Sequence, residues 1–327
     1  MSPVMSSAAH RSYQHEAFLY SGGDDFLAGT VPFVRDGLAL GEPVMVAVTE
    51  PRLGMLREAL GPDARDVHFI DMAELGENPA RIIPAWRTFA NQHGPDRPVR
   101  GIGEPIWVDR RPTEIVECQL HEALLNMAVE ENTPLWLRCP YDKDALAAPV
   151  LREALHTHPT LVDADHSHGS PAYRGLPHVV EMFRQPLPDP TGHVEELSFA
   201  GPDLTPLRRL VAGRATDAGL GATRAGDLTL AATEVATNSV RHGGGGGRLR
   251  MWQQPDAFVM EVTDGGHIDD PLVGRRVPLP LASGGRGVYL VNQLCDLVQI
   301  RSSPEGTTVR IHAWTSTARD EPRGRWN

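Results

Sequence analysis

The chain is short of cysteine, of aromatic residues and of positive charge. Its three cysteines, Cys118, Cys139 and Cys295, stand far apart and form no CxxC pair. That excludes a disulfide framework and a cysteine-only zinc motif, and it fits a reducing cytoplasm. Lys and Arg number 31 against 42 Asp and Glu, a formal charge of −11, and no five basic residues adjoin. A protein that tracks a nucleic-acid backbone is therefore disfavoured. No stretch approaches the roughly 18 apolar residues of a membrane span. The start, "MSPVMSSAAHRSYQHEAF", has neither the basic end nor the apolar centre of a secretory signal. The expectation is a cytoplasmic protein without membrane or direct nucleic-acid contact, long enough at 327 residues for two domains.

What is present begins with short apolar, β-branched runs: "AFLYS" (17–21), "PVMVAVT" (43–49), "DVHFID" (66–71), "VRGIGE" (99–104) and "TPLWLRCP" (133–140). Segments with helical apolar spacing separate them. Strands that are apolar on both faces and alternate with helices predict a mostly parallel sheet with helices on both sides. From about 156 the chain turns rich in Pro and His, and residues 166–194 read as a linker. A second unit follows in the order strand "VEELSFAG", two helices, two strands joined at "QQPDA", a loop, a helix "GVYLVNQLCD" and a closing hairpin. This order predicts a mixed sheet with its helices layered on one face. The ends, 1–14 and 317–327, read as tails.

The chemistry-bearing residues concentrate in the second unit. On the helix containing "EVATNSVRHG", Glu234, Asn238 and Arg241 share a face. A carboxylate and an amide one turn apart suit a magnesium ion with phosphates, the acid orienting or deprotonating a hydroxyl, and an arginine beyond them can meet a phosphate oxygen. Such a triple is more often a solvated polar face. Asp264 ends an apolar strand in "EVTDGG", where an acid can accept from an exocyclic amine while Gly266 admits a flat base; a plain turn is the competing reading. "SGGRGVYLV" sets Gly284, Gly285 and Gly287 before a helix, whose free N–H groups can seat phosphate. Thr307 and Thr308 open the last strand and carry little meaning alone.

Taken together and in order, these pieces resemble the ATP-binding domain shared by histidine kinases, gyrase-type ATPases and Hsp90-type chaperones (the GHKL or Bergerat fold, an α/β two-layer sandwich). Over 195–316 the short form looks most like anti-sigma-factor serine kinases. The resemblance implies ATP and magnesium as cofactors. It implies Glu234 as general base, Asn238 as magnesium ligand, and Asp264 with Gly266 at the adenine. Gly285 and Gly287 match the end of the ATP lid, with Arg286 between them within reach of phosphate, and Thr307 or Thr308 completes the base pocket. The chain departs from the pattern at Ile268, where a glycine is usual, and in a short lid containing "VPLPL". The glycine run 243–247 reads as a flexible helix exit.

A histidine kinase would need a phosphoacceptor histidine on a dimerising hairpin. The nearest pair, His121-Glu122, lies on a first-domain helix without a hairpin partner and reads as structural or surface. The resemblance therefore implies phosphorylation of a serine or threonine on an anti-anti-sigma partner, with a sigma factor as the other client and a homodimer as assembly. A non-catalytic, nucleotide-dependent sequestering module and an atypical sensor histidine kinase are the alternatives.

The first unit, 15–165, resembles the MEDS sensory domain of methanogen and methylotroph regulators, which is distantly RecA-like, through "HEAFLYSGGDDFLAGTVPFVRDGLALGEPVMVAVT", "GEPIW", "LRCPYD" and "ALHTHPTLV". At the phosphate-loop position "SGGDDFLAGT" lacks GK[ST], so ATP is not expected there. Glu104, Trp107, Arg138, Cys139 and Tyr141 follow strand ends and are candidates for an unknown signal ligand. His156, His158, His166 and His168 form two HxH pairs that could hold zinc or nickel; a histidine-rich linker is the plainer reading.

Overall fold

The computed structural model describes residues 12–163, 166–278 and 285–315. The two tails fall largely or wholly outside them, as do Gly284 and most of "VPLPL". The chain divides into two compact units, Met1–Met182 and Phe183–Asn327.

In the first unit, β1 (Gln14–Tyr20), β2 (Val44–Val48), β3 (Val67–Asp71), β4 (Val99–Gly103), β5 (Leu135–Asp142), β6 (Thr160–Asp163) and β7 (His166–Gly169) form one sheet in the order β3-β2-β4-β5-β1-β6-β7. All pairs are parallel except β6–β7. The helices are α1 (Gly22–Ala39), α2 (Arg52–Leu60), the short α3 (Met72–Leu75), α4 (Ile82–Gln92), α5 (Pro112–Ala128), α6 (Ala148–Thr157) and α7 (Gly175–Arg184). Side-chain alternation assigns them to faces. Phe18, Tyr20, Val44, Val46, Val48 and Ile102 pack with Phe26, Phe33 and Leu53 of α1 and α2. On the opposite face, Gly101 and Gly103 leave room for the Trp86 ring of α4, which a Cβ at either position would meet at 2.5 Å and 2.9 Å. The expected two-sided parallel sheet is what forms.

The linker expectation needs correction. Residues 166–169 are strand β7, and 175–184 are helix α7, within which the two units divide. The strand was hidden because "HSHG" is polar and fully on the sheet edge, with every residue exposed. The helix does carry an apolar repeat, Leu176, Val179, Val180 and Phe183, masked by the surrounding Pro and His.

The second unit contains β8 (Glu195–Ala200), α8 (Leu204–Asp217), α9 (Ala222–His242), β9 (Gly246–Gln254), β10 (Ala257–Asp264), α10 (Arg286–Leu294), β11 (Leu297–Ser303) and β12 (Gly306–Trp314), with sheet order β11-β12-β10-β9-β8. Every pair is antiparallel, not mixed as expected. The reason is that the chain leaves β10, returns through α10 to the sheet edge as β11, and turns back as β12 between β11 and β10. The three helices share one face: Leu207 and Val211, then Leu228, Val235 and Ala236, then Val291 pack on Met251, Phe258, Met260, Val262, Val309 and Ile311.

Candidate functional site

Two apolar rows of the second sheet run toward one end and change character there. Phe258, Met260 and Val262 of β10 face the helices, and the next residue on that face is Asp264. Ala313, Ile311 and Val309 of β12 do the same, ending in Thr307, which is paired in register with Asp264. Period-two alternation therefore selects Thr307 and turns Thr308 to the opposite face. Asp264 is fixed on both oxygens: Oδ2 accepts from the Ser239 hydroxyl at 2.6 Å, and Oδ1 accepts from the Gly266 N–H at 2.8 Å. The Thr307 hydroxyl donates to the Gly266 carbonyl at 2.9 Å and lies 2.8 Å from the Ser302 hydroxyl. Each carboxylate oxygen has two lone pairs, so Asp264 retains capacity for a further donor.

Helix α9 brings the second group. Ala232, Val235, Ala236 and Ser239 are buried, while Glu234 and Asn238 are half-buried one turn apart and Arg241 is exposed beyond them. The first turn of α10 lies directly over the acid: a Cβ on Gly287 would stand 2.7 Å from Glu234 Oε2 and 3.7 Å from Asn238 Nδ2. Gly287 thus leaves a space bordered by a carboxylate, an amide and the start of a helix. Gly285 caps that helix with φ +82°, a left-handed backbone that favours glycine. Arg286 is the first residue of α10 and is exposed; Gly284 lies outside the described residues. The donor set at Glu234 and Asn238 is oxygen-based, which suits a hard cation such as magnesium.

Three contributors were not singled out from the sequence. Ser239 orients Asp264. Ser302 ties the loop after β10 to β11, accepting from the Ile268 N–H at 2.8 Å; Ile268, the departure from the glycine pattern, packs partly into the core. Gly243 is the third: a Cβ there would come within 2.4 Å of Asp264 Cγ. The glycine run is thus a close approach of backbone to Asp264 followed by two left-handed residues, Gly244 and Gly245, rather than simply a flexible exit. Only the "DG" and "GGGGG" strings could have signalled it.

In the first unit the candidate residues separate. Arg138 binds Glu16 Oε1 and the Gly29 carbonyl, both at 2.5 Å, and stacks on the Phe33 ring, a packing role. Trp107 lies under the Arg110 guanidinium. Glu104 is buried beyond the end of β4, accepting from the Tyr20 hydroxyl at 3.0 Å, with Arg52 Nε at 3.5 Å and, among the described residues, no hydrogen-bond partner on Oε2. Burial pushes its carboxyl up to about 7, against the pull of Arg52. Cys139 and Tyr141 point to the other face, where the Cys139 thiol meets His15 Nε2 and Glu122 Oε2, each at 3.5 Å. His121 is buried, not a surface residue, and Glu122 beside it is fully enclosed. The four HxH histidines also part: His158 joins this buried cluster, His156 pairs with Glu153 at 3.3 Å, and His166 and His168 are exposed on β7. Among the described residues no helix is long and apolar enough to cross a membrane.

Comparison with known proteins follows the same division. Residues 14–159 match the MEDS family, the methanogen/methylotroph, DcmR sensory domain, and residues 200–313 match the histidine kinase-like ATPase domain. No curated protein matches. Among solved structures, the RsbU and RsbW domains of Rv1364c from Mycobacterium tuberculosis align at 15% identity with a TM-score of 0.29, over 37% of this chain and 32% of that one. The chain therefore spans about a third of that structure's length.

Proposed function

Because the chain joins a MEDS domain to a histidine kinase-like ATPase domain, we propose that it is a signal-responsive anti-sigma regulator that binds Mg-ATP and phosphorylates a serine or threonine of an anti-anti-sigma partner. The observation that carries this reading is the meeting of Glu234 and Asn238 with Gly287 at one helix end, beside Asp264, Gly266 and Thr307 at the adjoining strand ends. In it, Asp264 accepts from the adenine amino group and Gly266 lets the ring lie against backbone. Asn238 holds magnesium, which when bound neutralises charge on the phosphates. The N–H groups at the start of α10 and the Arg286 side chain would meet the phosphates, and Glu234 would take the proton of the partner's hydroxyl as its oxygen bonds to the γ-phosphorus and the bond to ADP breaks. Hydroxyl phosphorylation is favoured over a histidine-kinase reaction because His121, 1% exposed on α5, presents no accessible ring nitrogen as acceptor.

The test uses the full chain with Mg-ATP and an anti-anti-sigma protein. Calorimetry is expected to record nucleotide uptake. Labelled phosphate is expected to appear on the partner, and Glu234→Gln is expected to keep uptake while slowing transfer at least about 100-fold. No uptake by folded protein at millimolar ATP would remove the proposal. Uptake with stable partner binding and no transfer would replace it by the sequestering module.

A further inference from the structure

The first unit holds a polar cluster that the ATPase site does not use. His15 of β1, Glu122 of α5, Cys139 of β5 and His158 at the end of α6 converge from four elements, and one ligand atom from each lies within 4.8 Å of all the others. All four residues are at most 1% exposed. The closest approaches are His15 Nε2 to Glu122 Oε2 at 3.0 Å, His158 Nε2 to Glu122 Oε2 at 3.3 Å, and Cys139 Sγ to His15 Nε2 and Glu122 Oε2, each at 3.5 Å. Ligands about 2.0–2.3 Å from a tetrahedral ion stand roughly 3.3–3.8 Å from one another, so these separations are close to the edges of such a tetrahedron.

The surrounding hydrogen bonds set which nitrogen faces inward. Asn126 Nδ2 donates to the Thr157 carbonyl at 2.7 Å, which turns its Oδ1 to His15 Nδ1 at 3.0 Å. That acceptor places the His15 proton on Nδ1. The Ala154 carbonyl, 2.9 Å from His158 Nδ1, does the same for the second imidazole. While the rings are neutral, both therefore direct Nε2 lone pairs at a carboxylate, acceptors facing an acceptor in a closed space; a second proton on either ring would instead donate to Glu122 Oε2. His158 Nε2 and Glu122 Oε1 are buried without a hydrogen-bond partner among the described residues. A cation resolves this arrangement, and its charge is defined by the set: one thiolate and one carboxylate balance a divalent ion, with two neutral imidazoles completing four ligands. Outer-shell acceptors on the distal nitrogens of metal-binding histidines are the usual support of such centres.

We propose that His15, Glu122, Cys139 and His158 form a tetrahedral site for one zinc-type divalent transition ion, enclosed within the MEDS domain. The mixed nitrogen, sulfur and oxygen set favours zinc or cobalt over magnesium and calcium, which take oxygen. With four protein ligands and no solvent-facing position, the centre ties β1, β5, α5 and α6 together rather than hydrolysing anything. The exposed His166 and His168 take no part.

The experiment is cobalt substitution of the full chain, stripped with chelator and checked by circular dichroism to be folded. Expected are uptake of about one ion per chain, the intense visible bands of tetrahedral cobalt, and a thiolate-to-cobalt charge-transfer band, all displaced by zinc. Cys139→Ser should remove the charge-transfer band and weaken uptake at least about tenfold, whereas the His166→Ala, His168→Ala double variant should change neither. The wild-type spectrum alone decides if Cys139→Ser does not fold. Folded wild-type protein that takes up no cobalt, or binds it without a thiolate band, overturns the proposal, as does binding abolished by the β7 variants. None of these readouts involves nucleotide, so failure here leaves the kinase reading standing, and the reverse.

Discussion

The polar clusters described in the two units are enclosed to different degrees. The MEDS domain seals its ionisable side chains inside: Glu104, Glu122, His15 and His158 are all at most 1% exposed. The ATPase domain leaves Glu234, Asn238 and Asp264 half-buried where α9, α10 and the strand ends meet. A sealed group is held by a permanent partner and stabilises the fold only through it; an open group can exchange water for a ligand. Changes at sealed positions should therefore be felt in stability, and changes at open positions in binding.

The severest test of that rule lies in the ATPase domain itself, on the sheet face away from its helices. There Glu261, 1% exposed, accepts from Arg250 and Arg310 through both oxygens, with all four N–O distances between 2.5 Å and 2.9 Å. Glu261→Ala leaves two guanidinium groups without their carboxylate and is expected to cost about 3–5 kcal/mol, read from urea unfolding, with nucleotide affinity of the folded fraction unchanged. A cost under about 1 kcal/mol would mean that these charges are solvated and the comparison fails.

Acid and base should next separate the two domains. Glu104 has its carboxyl raised to about 7 by burial, so the folded state holds a proton that the unfolded chain has released. That contribution is full below the unfolded value of 4.5, falls as pH rises, and is gone above about 7. At roughly 1.4 kcal/mol per unit, the loss is about 3–4 kcal/mol. In the ATPase domain, burial and the neighbouring Arg310 lower His312 from 6.5 to about 3, so its contribution is present above 6.5 and lost as pH falls toward 3. Between about pH 4.5 and 6.5 the two windows overlap with opposite slopes, so Glu104→Gln should remove a loss of stability with rising pH and His312→Asn a loss with falling pH. Slope changes of the same sign in the two variants would contradict the assignment.

The same division explains what could be read from the sequence. The open site is assembled from local patterns: Glu234 and Asn238 are one helical turn apart, and Asp264 precedes two glycines. Such patterns survive as strings. The sealed cluster joins His15 to Glu122 and Cys139 across separations of 107 and 124 residues, and only the parallel pairing of β1 with β5 brings them side by side. No spacing rule could reveal it, and of the histidines in the two HxH pairs His158 alone belongs to it. Strands buried on both faces were legible because every residue of β2 is apolar. Polar β7, with nothing to bury, was not.

For an open position the expected effect is on binding. Asp264→Asn preserves shape but removes the charge that would meet the adenine amine, and nucleotide affinity should fall about 10- to 100-fold, the scale of a hydrogen bond to a charged group. Unfolding midpoints should move little, because Asn can still accept from Ser239 or Gly266. Unchanged affinity in calorimetry would detach Asp264 from the site.

The finest distinction is between two glycines two residues apart. At Gly285 an added Cβ meets nothing within 4 Å among the described residues, but the backbone is left-handed; at Gly287 the backbone carries no such demand, and the Cβ would stand 2.7 Å from Glu234 Oε2. Gly285→Ala should therefore cost about 1 kcal/mol of stability through the strained helix cap. In Gly287→Ala the obstructed atom is the free end of a flexible side chain, so Glu234 can swing aside at little cost in stability. On the proposed mechanism the displaced carboxylate would no longer face the attacking hydroxyl, and phosphotransfer should fall more than nucleotide affinity does. If the two alanine variants instead lose stability equally and transfer in proportion, the space over Glu234 is a packing detail and not the place where the phosphoryl group moves.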